Sequence, residues 1–227
     1  MCTRRSLRIV LLAGLLGACP LFAQTPIDYS YVDIEYGIDS TIEMFGGSFD
    51  SDDGLAITGS WQFAERWYAL TRYATNGYDL TGRDGLGLEF VTAGVGYRHP
   101  IRQDQTPIDF IVQVNYEHQR TDIETTLARE TLSDSGTGLR FGVRALITPH
   151  FEVGAFTYHI GYPYHGDGNI DGLHFELTST LSLTDRLGVT FTYLTGEIDY
   201  PFLPGFAAPV EVEVDRNDMR LGLRYRF

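Results

Sequence analysis

Three groups of residues have the types and spacing for chemistry. Asp167-Gly168-Asn169-Ile170-Asp171-Gly172 matches the opening of a calcium loop, in which oxygen ligands at alternate positions suit a hard cation. The twelfth position from Asp167 is Thr178 rather than the closing glutamate, and Asp, Asn and Gly also make ordinary turns. Asp167, Asn169 and Asp171 are therefore expected to form at most an open divalent-cation site, calcium being the fitting ion, and no other cofactor is expected. Asp50, Asp52 and Asp53 are a second acidic cluster, suited to diffuse binding of divalent ions. His159, His165 and His174 fall near Asp167 and Asp171, so a nucleophile–base or carboxylate–water arrangement has to be weighed. The sequence contains no His-x-Ser-Asn run, and histidines in a solvated loop account for the cluster. No catalytic residue is expected.

Charge narrows the classes further. The chain has 227 residues, 17 basic and 30 acidic, and no lysine. Three of the arginines (Arg4, Arg5 and Arg8) open a short N-terminal segment, followed by the apolar stretch Ile9 to Ala18 and a cleavage point at Ala23-Gln24. We read residues 1–23 as a signal peptide and 24–227 as one mature domain. Leu16-Gly17-Ala18-Cys19 leaves lipidation at Cys19 as the alternative. Without the leader, fourteen arginines face thirty carboxylates, a net charge of −16, which argues against nucleic acid as a partner. Both cysteines, Cys2 and Cys19, lie in or beside the leader, so the mature chain offers no thiol chemistry. The content of hydrophobic residues, 43% of the chain, is too high for disorder.

The elements that must position these groups are strands. Polar and apolar residues alternate with period two along most of the chain: Phe110, Val112, Val114 and Tyr116 oppose Ile111, Gln113, Asn115 and Glu117, and Met219, Leu221, Leu223, Tyr225 and Phe227 oppose Asp218, Arg220, Gly222, Arg224 and Arg226. Ten strands are predicted near 29–37, 54–63, 67–77, 88–99, 109–122, 137–148, 151–162, 170–183, 187–199 and 212–227. Most reach the 9–11 residues or so that a tilted strand needs to cross a bilayer. Short joins (64–66, 101–106, 148–150 and 184–186) alternate with longer ones (38–53, 78–87, 123–136, 163–169 and 200–211). This is the asymmetry of short periplasmic turns and long extracellular loops.

The fold class expected is thus all-β: an antiparallel up-and-down transmembrane barrel of ten strands, with eight as the alternative, in the bacterial outer membrane. Trp61, Phe63, Trp67, Tyr97, Phe110, Phe151 and Phe227 are expected to form the periplasmic aromatic girdle. The polar faces predict a lumen charge ladder of Asp33, Glu35, Arg98, Glu117, Arg140, Arg144, Glu176, Arg220 and Arg224. This ladder serves either as a paired plug or as a narrow path for ions and small solutes. The segment Tyr200-Pro201-Phe202-Leu203-Pro204-Gly205-Phe206 gives the last long join an apolar tip, expected to pack onto the rim.

The C-terminal run Leu221-Gly222-Leu223-Arg224-Tyr225-Arg226-Phe227, with Gly94-Val95-Gly96-Tyr97-Arg98 before a periplasmic turn, resembles the small outer-membrane β-barrel superfamily that includes OmpA- and OmpX-like proteins. The resemblance implies insertion by the barrel assembly machinery, with Tyr225 and Phe227 as the assembly signal, and outer-membrane lipid and lipopolysaccharide as surroundings. It carries over no activity, because function on such a scaffold is mixed. The function expected is a non-enzymatic role in envelope integrity or adhesion. The alternatives are a narrow channel and a rim enzyme acting on envelope lipid.

Overall fold

The computed structural model describes residues 27–44, 46–51, 53–81, 84–103, 106–124, 129–163, 169–200 and 212–227. The expected leader (1–23), Asp167 and the expected apolar tip at 200–206 fall wholly or, at Tyr200, by side chain outside the described residues. Eleven strands run in chain order: β1 (Tyr31–Met44), β2 (Gly47–Ser51), β3 (Leu55–Ala64), β4 (Trp67–Thr81), β5 (Asp84–Arg102), β6 (Ile108–Glu124), β7 (Arg129–Thr148), β8 (Phe151–Pro163), β9 (Asn169–Ser182), β10 (Leu187–Tyr200) and β11 (Val212–Arg226). From β3 to β11 each strand pairs antiparallel with the next, β1 pairs with both β2 and β3, and β11 closes onto β1. β2 and β3 pair with β1 in one continuous register, Met44 facing Gly47 at one end and Tyr31 facing Ser60 at the other. They are one wall strand interrupted between Ser51 and Leu55, so the barrel has ten.

The wall is taller than the predicted strands. Three of the expected long joins are largely strand: β1 and β2 occupy most of 38–53, β4 and β5 most of 78–87, and β6 and β7 most of 123–136. Their Asp, Gly, Ser and Thr content reads as loop, but strand propensity yields to ladder pairing when neighbours supply it. The short turns fall where expected, at the end where β1 begins and β11 ends.

The polarity of the wall inverts along its height. On β6 the outward side chains run Phe110, Val112, Val114 and Tyr116, then His118, Arg120 and Asp122; the inward ones run Ile111, Gln113, Asn115, Glu117 and Gln119, and end near Ile123. The lower section is apolar outside and polar inside, as lipid requires. The upper section is polar outside, and its interior holds Ile42, Tyr78, Leu86, Leu88 and Val214, as water requires. Ile34, Val95, Val114, Leu177 and Leu223 are exposed on the lower belt. Trp61, Phe63, Trp67, Phe110, Phe151 and Phe227 ring its periplasmic edge, where Trp67 meets Tyr97 edge-on at 5.0 Å. A bulge between Gly37 and Asp39 shifts the inward phase of β1 from Asp33 and Glu35 to Ser40 and Ile42.

Above Thr75 the ladder is incomplete. Among the described residues, β4 is bonded there only to β5, and β2 only to β1. A seam therefore separates β2 from the upper part of β4.

Candidate functional site

The lumen collects charge in balance. Asp33, Glu35, Asp109, Glu117, Glu152, Glu176 and Asp218 share it with Arg72, Arg98, Arg140, Arg144, Arg216, Arg220 and Arg224, seven of each sign, most of them buried. A buried charge costs several kcal/mol unless it is paired and hydrogen-bonded; all of these but Glu117 have an opposite charge beside them, and Glu117 is held by hydroxyl donors. Arg224 grips Asp33 with two bonds of 2.8 and 2.7 Å and lies 3.4 Å from Glu152. Arg144 bonds Glu152 at 2.5 Å, and Arg140 bonds Glu176 at 2.5 Å. Arg72 sits between Glu35 and Glu176, at 3.6 and 3.5 Å. Glu117 accepts from Thr92 at 2.6 Å and from Tyr158. Higher up, Asp218 accepts from Ser40, Arg216 and Asn76, while Arg220 donates to Asn76 at 2.6 Å.

All nine residues of the predicted ladder face this interior. Of five further members, Asp109, Arg216 and Asp218 continue the polar phases of their strands, while Arg72 and Glu152 stand on inward phases that also carry Tyr68 and Leu70 or Phe156 and Ile160, which alternation does not mark. Two things fill the ends. At the periplasmic mouth the segment before β1 turns inward, so that Ile27 and Tyr29 pack against Tyr68, Ile111 and Phe156. The Tyr29 hydroxyl donates to Asp109 at 3.0 Å, and Ser60 donates to the Tyr29 carbonyl at 2.8 Å. At the other end stands the apolar cluster around Ile42 and Tyr78. Between them a cavity of about 90 Å³ remains, room for a few waters.

Because the lumen is neutral, the charge of the chain resides elsewhere. Asp28, Glu65, Asp104 and Asp185 belong by chain position to the periplasmic end. By position in the sequence the remaining nineteen carboxylates fall toward the other end, with three arginines, Arg83, Arg120 and Arg129. Glu197, Glu213 and Asp215 bring carboxylate oxygens within 4.8 Å of one another on the outer wall there. Mutual repulsion, first from Glu213, raises the Glu197 carboxyl above its ordinary pKa. This trio was not singled out in the sequence, because its members meet only across the β10–β11 ladder.

The other predicted groups are placed as follows. Of the calcium-loop residues, Asp167 and the Asn169 side chain lie outside the described residues, and Asp171 is exposed at the start of β9. Asp50 and Asp53 border the seam, while Asp52 lies outside the described residues. His159 points outward and His174 is buried in the lumen, so these two do not share a site; His165 lies outside the described residues. Tyr225 and Phe227 stand on the outer face, ring centroids 5.8 Å apart. On the outer wall of β6 and β7, His118 Nδ1 and the Ser135 hydroxyl are 2.8 Å apart, and Tyr116 donates to the same hydroxyl at 2.9 Å.

No protein-family model and no curated protein matches the chain in sequence. Among solved structures, the outer-membrane protease OmpT from Escherichia coli aligns over 87% of this chain and 96% of its own, at 9% identity and a TM-score of 0.50. Neisserial surface protein A aligns over 87% and 96%, at 13% identity and a TM-score of 0.44. The outer-membrane protein OprG from Pseudomonas aeruginosa aligns over 90% and 99%, at 12% identity and a TM-score of 0.41. At such identities the likeness is one of fold. A closed antiparallel wall, apolar on its lower outer face and polar within, gives this chain the fold of the small bacterial outer-membrane β-barrels.

Proposed function

We propose that the protein is a non-enzymatic surface barrel, acting in envelope integrity or adhesion through its acidic extracellular section. One observation carries the reading: the lumen charges neutralise one another around a small cavity, while the acidic excess faces out above the belt. A conducting path needs unpaired polar lining and open ends, and both ends here hold packed apolar side chains. The acidic section suits divalent cations, calcium among them, bridging to the phosphates of neighbouring lipopolysaccharide. Tyr225 and Phe227 suit a role as the signal read by the assembly machinery.

Planar-bilayer recording of the purified, folded protein tests this. We expect no steady single-channel steps. Reproducible steps of one defined size would overturn the reading in favour of the narrow channel.

A further inference from the structure

Two corners of the periplasmic rim repeat one arrangement. The turn between β3 and β4 carries Glu65-Arg66 ahead of Trp67, and the turn between β9 and β10 carries Asp185-Arg186 ahead of Leu187. Across the ladder Trp67 faces Tyr97 on β5, and Leu187 faces Tyr225 on β11. The residue after each tyrosine is an arginine. Its backbone N–H donates to the carbonyl of the turn arginine, Arg98 to Arg66 at 2.9 Å and Arg226 to Arg186 at 2.7 Å. Each turn arginine then reaches its tyrosine hydroxyl, Arg66 that of Tyr97 at 3.3 Å and Arg186 that of Tyr225 at 3.5 Å. The next position differs, His99 in one corner and Phe227 in the other. The corners stand on separate flanks, with β6 to β8 between them one way and β1 the other.

Each corner offers groups of both signs at the depth of lipid headgroups. Tyr97 meets Trp67 edge-on, and Tyr225 lies 5.8 Å from Phe227, within the aromatic girdle that marks a membrane interface. Arg98 and Arg226 are engaged elsewhere, with Asp109 at 3.0 Å and Ser182 at 2.7 Å. Among the described residues neither turn arginine is ion-paired. A guanidinium presents five N–H donors in a planar fork that matches phosphate oxygens, and one bond to a tyrosine leaves most of them. The tyrosine hydroxyl that accepts from the arginine keeps its own proton to donate. One residue before each arginine stands an exposed carboxylate, Glu65 or Asp185, an acceptor for an ammonium group. A ligand with negative charge alone would be repelled by that carboxylate, and a fully methylated ammonium has no N–H to give it.

We propose that the two corners are twin sites for the headgroup of a phospholipid of the periplasmic leaflet that carries both a phosphate and a primary ammonium. The phosphate lies on the arginine and the tyrosine, and the ammonium on the carboxylate before the arginine. Both sites stand on the outer rim, away from the lumen and from the acidic section. They therefore stand or fall apart from the surface reading above.

The two tryptophans of the chain, Trp61 and Trp67, are both exposed at the first corner, so their fluorescence reports on the lipid there. The test folds the full barrel into phosphatidylcholine bilayers and adds lipids brominated in the upper acyl chain, which quench on contact. Brominated phosphatidylethanolamine should associate about three-fold more strongly than brominated phosphatidylcholine or phosphatidylglycerol, the effect of a hydrogen bond or so. Glu65→Ala should erase that preference and leave phosphatidylcholine unchanged, whereas Arg66→Gln should weaken both. Both variants should keep their compact form on unboiled gels, since the turn is exposed. In the variant Trp61→Phe/Trp67→Phe/Leu187→Trp the reporter moves to the second corner, where Asp185→Ala should act as Glu65→Ala does at the first. Equal association of the three lipids, or a lead for phosphatidylglycerol, would overturn the proposal. A preference that survives Glu65→Ala, or that is confined to one corner, would overturn it as well.

Discussion

Arg224 ties together three lumen side chains: it makes two bonds to Asp33 and a contact to Glu152, and its guanidinium lies 3.9 Å over the Tyr31 ring. Removing one partner of a buried pair leaves the other charge unsatisfied, at a cost of about 3–5 kcal/mol. Arg224→Ala should therefore lower the stability of the barrel in urea titrations from lipid vesicles by that order. Adding Asp33→Asn should recover part of the loss; a double variant no better than the single one would show that the pair is not the cause. Glu197 presents the opposite case, a carboxylate exposed among like charges. Its folded pKa is raised, so the folded chain binds the proton more tightly than the unfolded one. Stability then falls as pH rises through that value. Glu197→Gln should raise the temperature of the heat shift on gels at pH 7. It should make no difference well below the ordinary glutamate value of about 4.3.

At the scale of the element, neighbouring strands fit because inward glycines make room for inward rings. Tyr68 faces Gly96 and Phe156 faces Gly142 across their ladders. A Cβ on Gly96 would sit 2.1 Å from Tyr68 Cζ, and that ring is fixed by its hydroxyl bond to Gln113 at 2.9 Å. Overpacking of this kind costs about 1–3 kcal/mol. Gly96→Ala should destabilise the folded barrel by that order, and the penalty should shrink in a Tyr68→Ala background, measured as a double-mutant cycle. Equal penalties in the two backgrounds would refute the fit.

At the scale of the molecule, one wall serves two solvents. Below, side chains sort as lipid demands, apolar out and charge paired within. Above, they sort as water demands, and the acidic excess gathers outside. The level at which Tyr116 gives way to His118 and Arg120, and the inward Gln119 to Ile123, marks the outer membrane surface. Transmembrane barrels place their interfacial aromatic girdles at such levels. Such a division separates the stabilising core from the interacting surface, so losses in one need not impair the other.

The period-two alternation determined the strands, their number, the short turns and the nine ladder residues, because in a barrel each strand's inward phase follows from local order alone. The aromatic girdle was legible for the same reason. Which carboxylate each arginine meets was decided only by ladder register, which brings Asp33 to Arg224 across 191 positions. The strand extensions over 38–53, 78–87 and 123–136 were hidden by turn-like composition, and neighbouring backbones override that bias. The inward turn of Ile27 and Tyr29, the grouping of Glu197 with Glu213 and Asp215, and the seam beside β2 left no periodic trace. Each arises from contacts between segments distant in the chain, which form only once the wall has closed.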